Sequence, residues 1–245
     1  MEPVRSTRNP RVAEAARLHR VKERRQLGLT LIEGPNLLAE ARAGGAEIVR
    51  VFGIGPSGDD PAWVEVTQEV LDRLAGTENP RGPVAVIRIP PTTPVDRDHL
   101  SIDVGDPGNA GTLIRTAAAF SLDVVFRTGS VDPWAPKVLR AAAGAHFRTS
   151  IGDARPDVGT IATVARGGVA ADRLGEVLDP ARRWSILVGS EPRGLAPEEV
   201  EAADVAVTIP MPGEIESLNA AVAGSIVAYE FARWRNSAGP SVESR

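Results

Sequence analysis

Three short segments hold residue types whose spacing could do chemistry. In DVGDPGNAGTLIRTAAAF (residues 103–120) a lone arginine, Arg115, stands on a helix of small apolar residues. A guanidinium there is costly unless an anionic partner or a cavity receives it, which makes Arg115 a candidate for holding a phosphate or a developing negative charge. A tight strand-to-helix turn with Asn109 as its cap would explain that asparagine and the spacing of Gly105, Gly108 and Gly111, but not the arginine. In WSILVGSEPRGLAPEEV (residues 184–200) a buried-type strand runs into Gly189, Ser190 and Glu191. Loops at the carboxyl ends of parallel strands bind ligands in open α/β sheets, and glycine lets a ligand reach the backbone. Glu191 beside Arg193, taken alone, reads as an ordinary exposed ion pair. In VAVTIPMPGEIESLNAAVAGSIVAYE (residues 205–230) two prolines bracket Met211. Ser217 is expected to cap the last helix, with Asn219 in its first turn, where asparagine has poor propensity. Backbone groups of this proline-stiffened loop could read the hydrogen-bonding edge of an adenine, with Ile209 and Leu218 against its faces.

Other chemistries lack their residues. The 245-residue chain has no cysteine, so thiolate nucleophiles, disulfides and Cys-ligated zinc are excluded, and His19, His99 and His146 are too scattered to suggest a metal cluster. The glycines match neither the dinucleotide fingerprint nor a phosphate loop, which argues against a nicotinamide- or nucleotide-binding oxidoreductase. The amino terminus is charged with no apolar block behind it, and no apolar stretch approaches the roughly 20 residues that span a bilayer. A cytoplasmic protein with no membrane partner is expected.

Positioning these segments requires a scaffold, and short β-branched runs alternating with amphipathic stretches indicate an α/β protein with a largely parallel sheet. The first block has a basic helical stretch at about Pro10–Gln26, the strands LTLIEG, AEIVRVFGI and GPVAVIRI, and the helix PNLLAEARAGG. A further helical stretch, WVEVTQEVLDRLAG, has Thr67 as candidate cap and Gly76 just past its end. The proline-rich PPTTPVDRD then marks a boundary. The second block supplies the strands LSIDVG, DVVFR, WSILVG and VAVTIP, the helix AGTLIRTAAAFS, helices near APKVLRAAAG and PEEVEAA, and a closing helix. Leu218, Val222, Ile226 and Tyr229 recur on that last helix at helical spacing as one apolar face.

Taken together and in order, NAGTLIRTA, LVGSEPRGL and IPMPGEIESLN resemble the three motifs of the SpoU/TrmH family of RNA ribose 2′-O-methyltransferases in the SPOUT superfamily. The resemblance covers Leu100 to about Arg235. LIEGPNLLAEA also looks like the opening of the small α/β substrate-binding domain that precedes the catalytic domain in many members. The resemblance implies a trefoil-knotted, mostly parallel α/β domain over residues 98–237, a substrate-binding domain over 1–89, a linker over 90–97 and a disordered tail over 238–245. It implies S-adenosylmethionine as methyl donor without a metal, and a homodimer with the active site at the interface. Carried over residue by residue, Leu187, Val188, Gly189, Ile209, Met211, Leu218 and Asn219 fall at or near cofactor positions. Arg115 and Asn109 match the catalytic motif, and Glu191, Ser217 and Asn219 match the polar positions that complete the site. Ser190, Pro192 and Glu214 depart from the usual residues of the second and third motifs. Since arginine is effectively never deprotonated, Arg115 is expected to fix the phosphate beside the target ribose, with that phosphate or water taking the proton.

The net charge of −4 hides a split. Residues 1–25 hold eight basic and three acidic side chains, +5 in all, which leaves −9 for the remainder. Arg8, Arg20, Arg24 and Arg25 are therefore expected to contact RNA phosphates. The separate amino-terminal domain points to ribosomal RNA ahead of transfer RNA by analogy. A knotted RNA-binding dimer without activity is the alternative.

Overall fold

The computed structural model describes residues 2–56, 59–78, 80, 82–190, 193–213 and 215–237. It divides into two compact units, 1–91 with 132–148, and 92–131 with 149–245. The expected tail over 238–245 lies outside the described residues, as do Glu191, Pro192 and Glu214.

The first unit opens with α1 (Pro10–Arg17), where the Asn9 side chain accepts from the Arg11 amide at 3.0 Å and Pro10 takes a position that needs no N–H. Instead of one basic helix to Gln26, the chain breaks and restarts as α2 (Val21–Leu27). The Arg24 guanidinium explains the break. It turns inward, donating from Nη1 to the carbonyls of Leu18 and His19 at 2.9 and 3.0 Å, and from Nε to Asp132 at 2.9 Å. Those carbonyls are left over at the end of α1, and the arginine satisfies them in place of a further helical turn. Arg24 is 3 % exposed and so cannot be the RNA contact expected from the sequence; its charge is spent on Asp132. Replacing Arg24 with methionine leaves that carboxylate without its cation, and is expected to lower stability by about 3 kcal/mol in a urea titration.

Next come β1 (Leu29–Glu33), α3 (Pro35–Ala43), β2 (Ile48–Gly53), β3 (Trp63–Glu65), α4 (Gln68–Leu74) and β4 (Val84–Arg88). The sheet order is β1-β4-β2-β3, with β4 antiparallel to both neighbours and only β2 and β3 parallel. A parallel sheet was the expectation; alternation reports burial, not strand direction. On one face Val12 and Ala15 of α1 and Leu18 just past its end pack with Leu31, Phe52 and Leu71. Thr67 does precede α4, but its hydroxyl caps nothing, and the helix ends in an extended Ala75 rather than at a left-handed glycine.

The second unit contains β5 (His99–Ile102), α5 (Pro107–Ala119) and β6 (Asp123–Phe126). After α6 (Pro136–Ala142), considered below, follow β7 (Ile151–Gly152), β8 (Gly159–Val164), β9 (Val169–Ala170), β10 (Trp184–Val188), α7 (Pro197–Ala202), β11 (Val205–Thr208) and α8 (Ala220–Ser237). The seven strands pair in the order β7-β6-β5-β10-β8-β11-β9, parallel throughout. β7, β8 and β9 escape the sequence reading, although GTIATV is rich in β-branched residues. The buried face of α8 is Ala221, Gly224, Val227, Ala228 and Phe231. Val222 and Tyr229, expected on the apolar inner face, are 46 % and 51 % exposed. Small residues take the inward stripe because α8 lies so close to its neighbours: a Cβ on Gly224 would meet Leu113 and Val188 at 2.8 and 2.9 Å. Asp98 fixes the far end of α8, accepting from Arg235 at 2.9 and 2.8 Å and from the Trp184 amide at 2.8 Å.

Residues 132–148, read from the sequence as part of the second block, pack with the first unit and carry α6 there. Leu139 joins Ile32, Leu38, Val51 and Ile87 on the second face of the four-stranded sheet, and the Thr30 hydroxyl donates to the Trp134 carbonyl at 2.6 Å. His146 is buried beneath this segment. Its Nε2 must donate to the Pro133 carbonyl at 2.8 Å, which leaves Nδ1 bare and without a partner. Burial pushes its pKa down to about 4, opposed by the Pro133 hydrogen bond. Folded His146 therefore refuses the proton that the unfolded chain takes up below pH 6.5. Its contribution to stability is complete above pH 6.5 and is lost as pH falls toward 4, by up to about 3 kcal/mol. Burial also pushes His99 of the second unit down, opposed by the Arg97 carbonyl and by Asp123 and Asp98. Urea midpoints at pH 7 and pH 5 should differ in the native protein, and the difference should narrow in His146→Gln, with His99 supplying part of what remains.

Candidate functional site

The carboxyl ends of β10, β8 and β11 lie side by side in the parallel sheet, and a cavity of about 540 Å³ opens there. This is where open parallel sheets bind ligands, and the volume suits a medium-sized organic molecule. Five of the expected cofactor residues other than Asn219 line it: Val188, Gly189, Ile209, Met211 and Leu218. Leu187 does not. Side chains alternate along a strand, so Leu187 points away from Val188; its carbonyl instead accepts from the Thr163 hydroxyl at 2.7 Å. Sequence reasoning missed Thr163, Val164 and Ala165 at the end of β8, which form part of the wall. The signal available was a β-branched run followed by the glycine pair Gly167 and Gly168.

One wall is the loop after β10. Ser190 and Gly194 exchange backbone hydrogen bonds at 2.7 and 3.2 Å, closing a tight turn in which Gly194 sits at φ +69°. That turn folds back so closely that a Cβ on Gly189 would lie 2.3 Å from both the Gly194 carbonyl carbon and the Leu195 nitrogen. Only glycine fits at Gly189, because the obstruction is backbone and cannot swing away.

The opposite rim is the loop leading into α8. Between Ile209 and Asn219 the described residues form no helix or strand, so these backbone amides and carbonyls are not engaged in ladders. Asn219, not Ser217, caps α8: its Oδ1 accepts from the amides of Ala221 and Val222 at 2.9 and 3.2 Å. The asparagine that looked misplaced inside a helix is thus one residue ahead of it. Its Nδ2 donates to Asn109 Oδ1 at 3.2 Å, which joins the first and third motifs. Ser217 and Asn219 both line the cavity.

Asn109 is in the first turn of α5, and its own amide is capped by Asp106 at 2.8 Å. The cap is therefore Asp106 and not Asn109, which leaves the Asn109 side chain available to Asn219. The Thr116 and Ser225 hydroxyls, 2.7 Å apart, hold α5 against α8. Arg115 lies elsewhere. It is exposed on the outward face of α5 with Thr112 and Ala119, and is not part of the cavity lining. It escapes the burial cost feared from sequence by facing water, and no described residue pairs with it. Glu191 lies outside the described residues. In the first unit Arg8, Arg20 and Arg25 are exposed, as are Arg5 and Arg11.

Residues 100–229 match the SpoU rRNA Methylase family, and residues 9–85 match the MRM3-like substrate binding domain. The chain is 34 % identical to an uncharacterized tRNA/rRNA methyltransferase of Synechocystis sp., covering 93 % of this chain and 92 % of that protein. It is 30 % identical to the 23S rRNA (guanosine(2553)-2′-O)-methyltransferase RlmP of Bacillus subtilis, over 94 % and 99 %. The AdoMet-bound rRNA methyltransferase from Sinorhizobium meliloti superposes with a TM-score of 0.81 at 26 % identity, covering 95 % and 97 %.

Proposed function

Because the chain belongs to the SpoU rRNA methylase family, we propose that it transfers a methyl group from S-adenosylmethionine to a ribose 2′-hydroxyl of ribosomal RNA. The observation that carries this reading is the cavity at the ends of β10, β8 and β11, formed by the second and third motifs and linked to the first through the Asn219–Asn109 hydrogen bond. Relatives of known activity agree: RlmP acts on a guanosine 2′-oxygen of 23S rRNA, and the Sinorhizobium enzyme binds AdoMet. The residues present suit that donor. Ile209, Leu218 and Val188 offer apolar walls for a purine, the unladdered backbone from Ile209 to Asn219 offers donors and acceptors for its edge, and Gly189 removes the side chain that would block approach.

When bound, S-adenosylmethionine supplies an electrophilic methyl group on a sulfonium centre. The protein then has to align the ribose oxygen and assist loss of its proton. In this reading Asn109 and Asn219 hold the rim of the site in register, Glu191 and Ser217 complete its polar edge, and Arg115 grips the phosphate next to the target ribose. Phosphate or water accepts the proton, since a guanidinium does not.

Arg115 lies outside the lining of its own chain's cavity, and this supports an active site completed by a second copy. The exposed Val222 and Tyr229 on α8, together with Arg115 on the outward face of α5, form the surface we assign to that homodimer. The trefoil knot within residues 98–237, less the segment 132–148 that packs with the first unit, the substrate-binding role of 1–89, the linker at 90–97 and a cytoplasmic location complete the proposal. The order of the seven-stranded sheet and the two family matches support it.

Tritiated methyl transfer into ribosomal RNA, followed by mapping of 2′-O-methyl sites with and without the gene, tests the function. Transfer only into tRNA would redirect the substrate, and RNA binding with no transfer would favour the inactive knotted dimer. The amino-terminal charge needs its own test. Deleting residues 1–25 would also remove Val12, Ala15, Leu18 and Arg24 from the core, so substitution is required. Arg8, Arg20 and Arg25 changed together to glutamine should weaken RNA binding and flatten its salt dependence by about three phosphate contacts, leaving S-adenosylmethionine affinity unchanged. An unaltered salt slope counts against these contacts.

A further inference from the structure

The short helix α7 follows the loop that walls the cavity, yet none of its six residues is buried. Apolar packing fixes it weakly, through the half-buried Val200. Among the described residues, its ion-pair tie to the sheet is a single carboxylate. Glu199 Oε2 accepts from the Ala196 amide at 2.9 Å, and the Glu199 amide returns a bond to the Ala196 carbonyl at 3.0 Å. The other oxygen, Oε1, is paired with Nη2 of Arg127.

Arg127 is itself anchored at the end of β6. Its amide donates to the Ile102 carbonyl at 2.9 Å, and its carbonyl accepts from Ser130 at 3.1 Å. Its side chain is only 26 % exposed, and its Nη1 is buried with no partner, a cost that a free surface arginine would escape by swinging into water. Through this pair the sheet reaches the segment from Arg193 to Val200, whose Leu195 and Val200 line the cavity.

Resting on the reading of that cavity as the S-adenosylmethionine site, we infer that Arg127 is a positioning residue which, through Glu199, sets the cavity wall and hence the affinity for the methyl donor. The pair lies away from the cavity lining, so it acts on donor binding and not on the transfer step.

The test uses the full-length protein with S-adenosylmethionine as titrant in calorimetry, and initial rates on ribosomal RNA. Arg127→Ala and Glu199→Gln, the latter keeping an oxygen for the Ala196 amide, should each raise Kd and KM for S-adenosylmethionine by about tenfold, the scale of coupling within one such network. The value of kcat at saturating donor and the affinity for RNA should stay at wild-type values. Arg127→Lys, which keeps the charge and loses the fork, should fall in between. Wild-type donor affinity in Arg127→Ala, or a fall in kcat with KM unchanged, overturns the inference while leaving the proposed function standing. Should Arg127→Ala fail to fold, Glu199→Gln and Arg127→Lys decide by the same criterion. Failure of the wild-type protein to bind S-adenosylmethionine would instead sink the proposed function, and the inference with it.

Discussion

Gly189→Ala is expected to weaken S-adenosylmethionine binding by about 100-fold. A methyl group at this position would sit 2.3 Å from two backbone atoms of the returning loop, so the backbone at Gly194 and Leu195 has to move outward. Overpacking of this kind costs about 1–3 kcal/mol, and here the cost falls on the wall that the donor must touch. Gly213→Ala is the matched control. It stands in the facing loop, and a Cβ there meets nothing within 4 Å. Calorimetric titration should show a large loss for the first and none for the second. Equal affinities would mean that the loop after β10 does not contact the donor.

The second large effect is at Arg115. Because its side chain is exposed and pairs with no described residue, Arg115→Ala should leave the thermal midpoint and donor affinity unchanged. Methyl transfer should fall by about 1,000-fold, the loss typical of removing a group that stabilises developing charge. Arg115→Lys keeps the charge but not the two-pronged grip on phosphate, so it should recover only part of the rate. Wild-type turnover in Arg115→Lys would remove the phosphate-clamp account. A drop in stability on Arg115→Ala would show that the residue has a structural partner.

Val188, Gly189, Ile209, Met211, Leu218 and Asn219, which the motifs nominate for the donor, line one cavity, because they belong to loops that each follow their own strand. The end of β8 was not legible, since its place between β10 and β11 depends on pairing order. Neighbouring residues in a chain do not report which distant strand lies beside them. Local propensity also misplaces asparagine at both helix starts. Propensity recognises a poor helix residue but cannot fix the boundary to one position, and that single step turned Asn219 from an anomaly into a cap with a spare amide for Asn109.

Arg24 and Arg115 show the division most clearly. By sequence, Arg24 belonged to a basic surface and Arg115 to an apolar helix, yet the first is buried on Asp132 and the second faces solvent. The sequence by itself determined the chemistry: three ordered motifs, no thiols, and a basic segment at one end of an acidic chain. It also determined the α/β alternation, because periodicity is a local consequence of which face is wet. Only the tertiary structure decided which charges are free to act, since that depends on partners more than 100 residues away. It also decided that residues 132–148 complete the first unit. A segment's destination is set by the apolar surface that it covers, here through Leu139, and that surface exists only once the first sheet has formed.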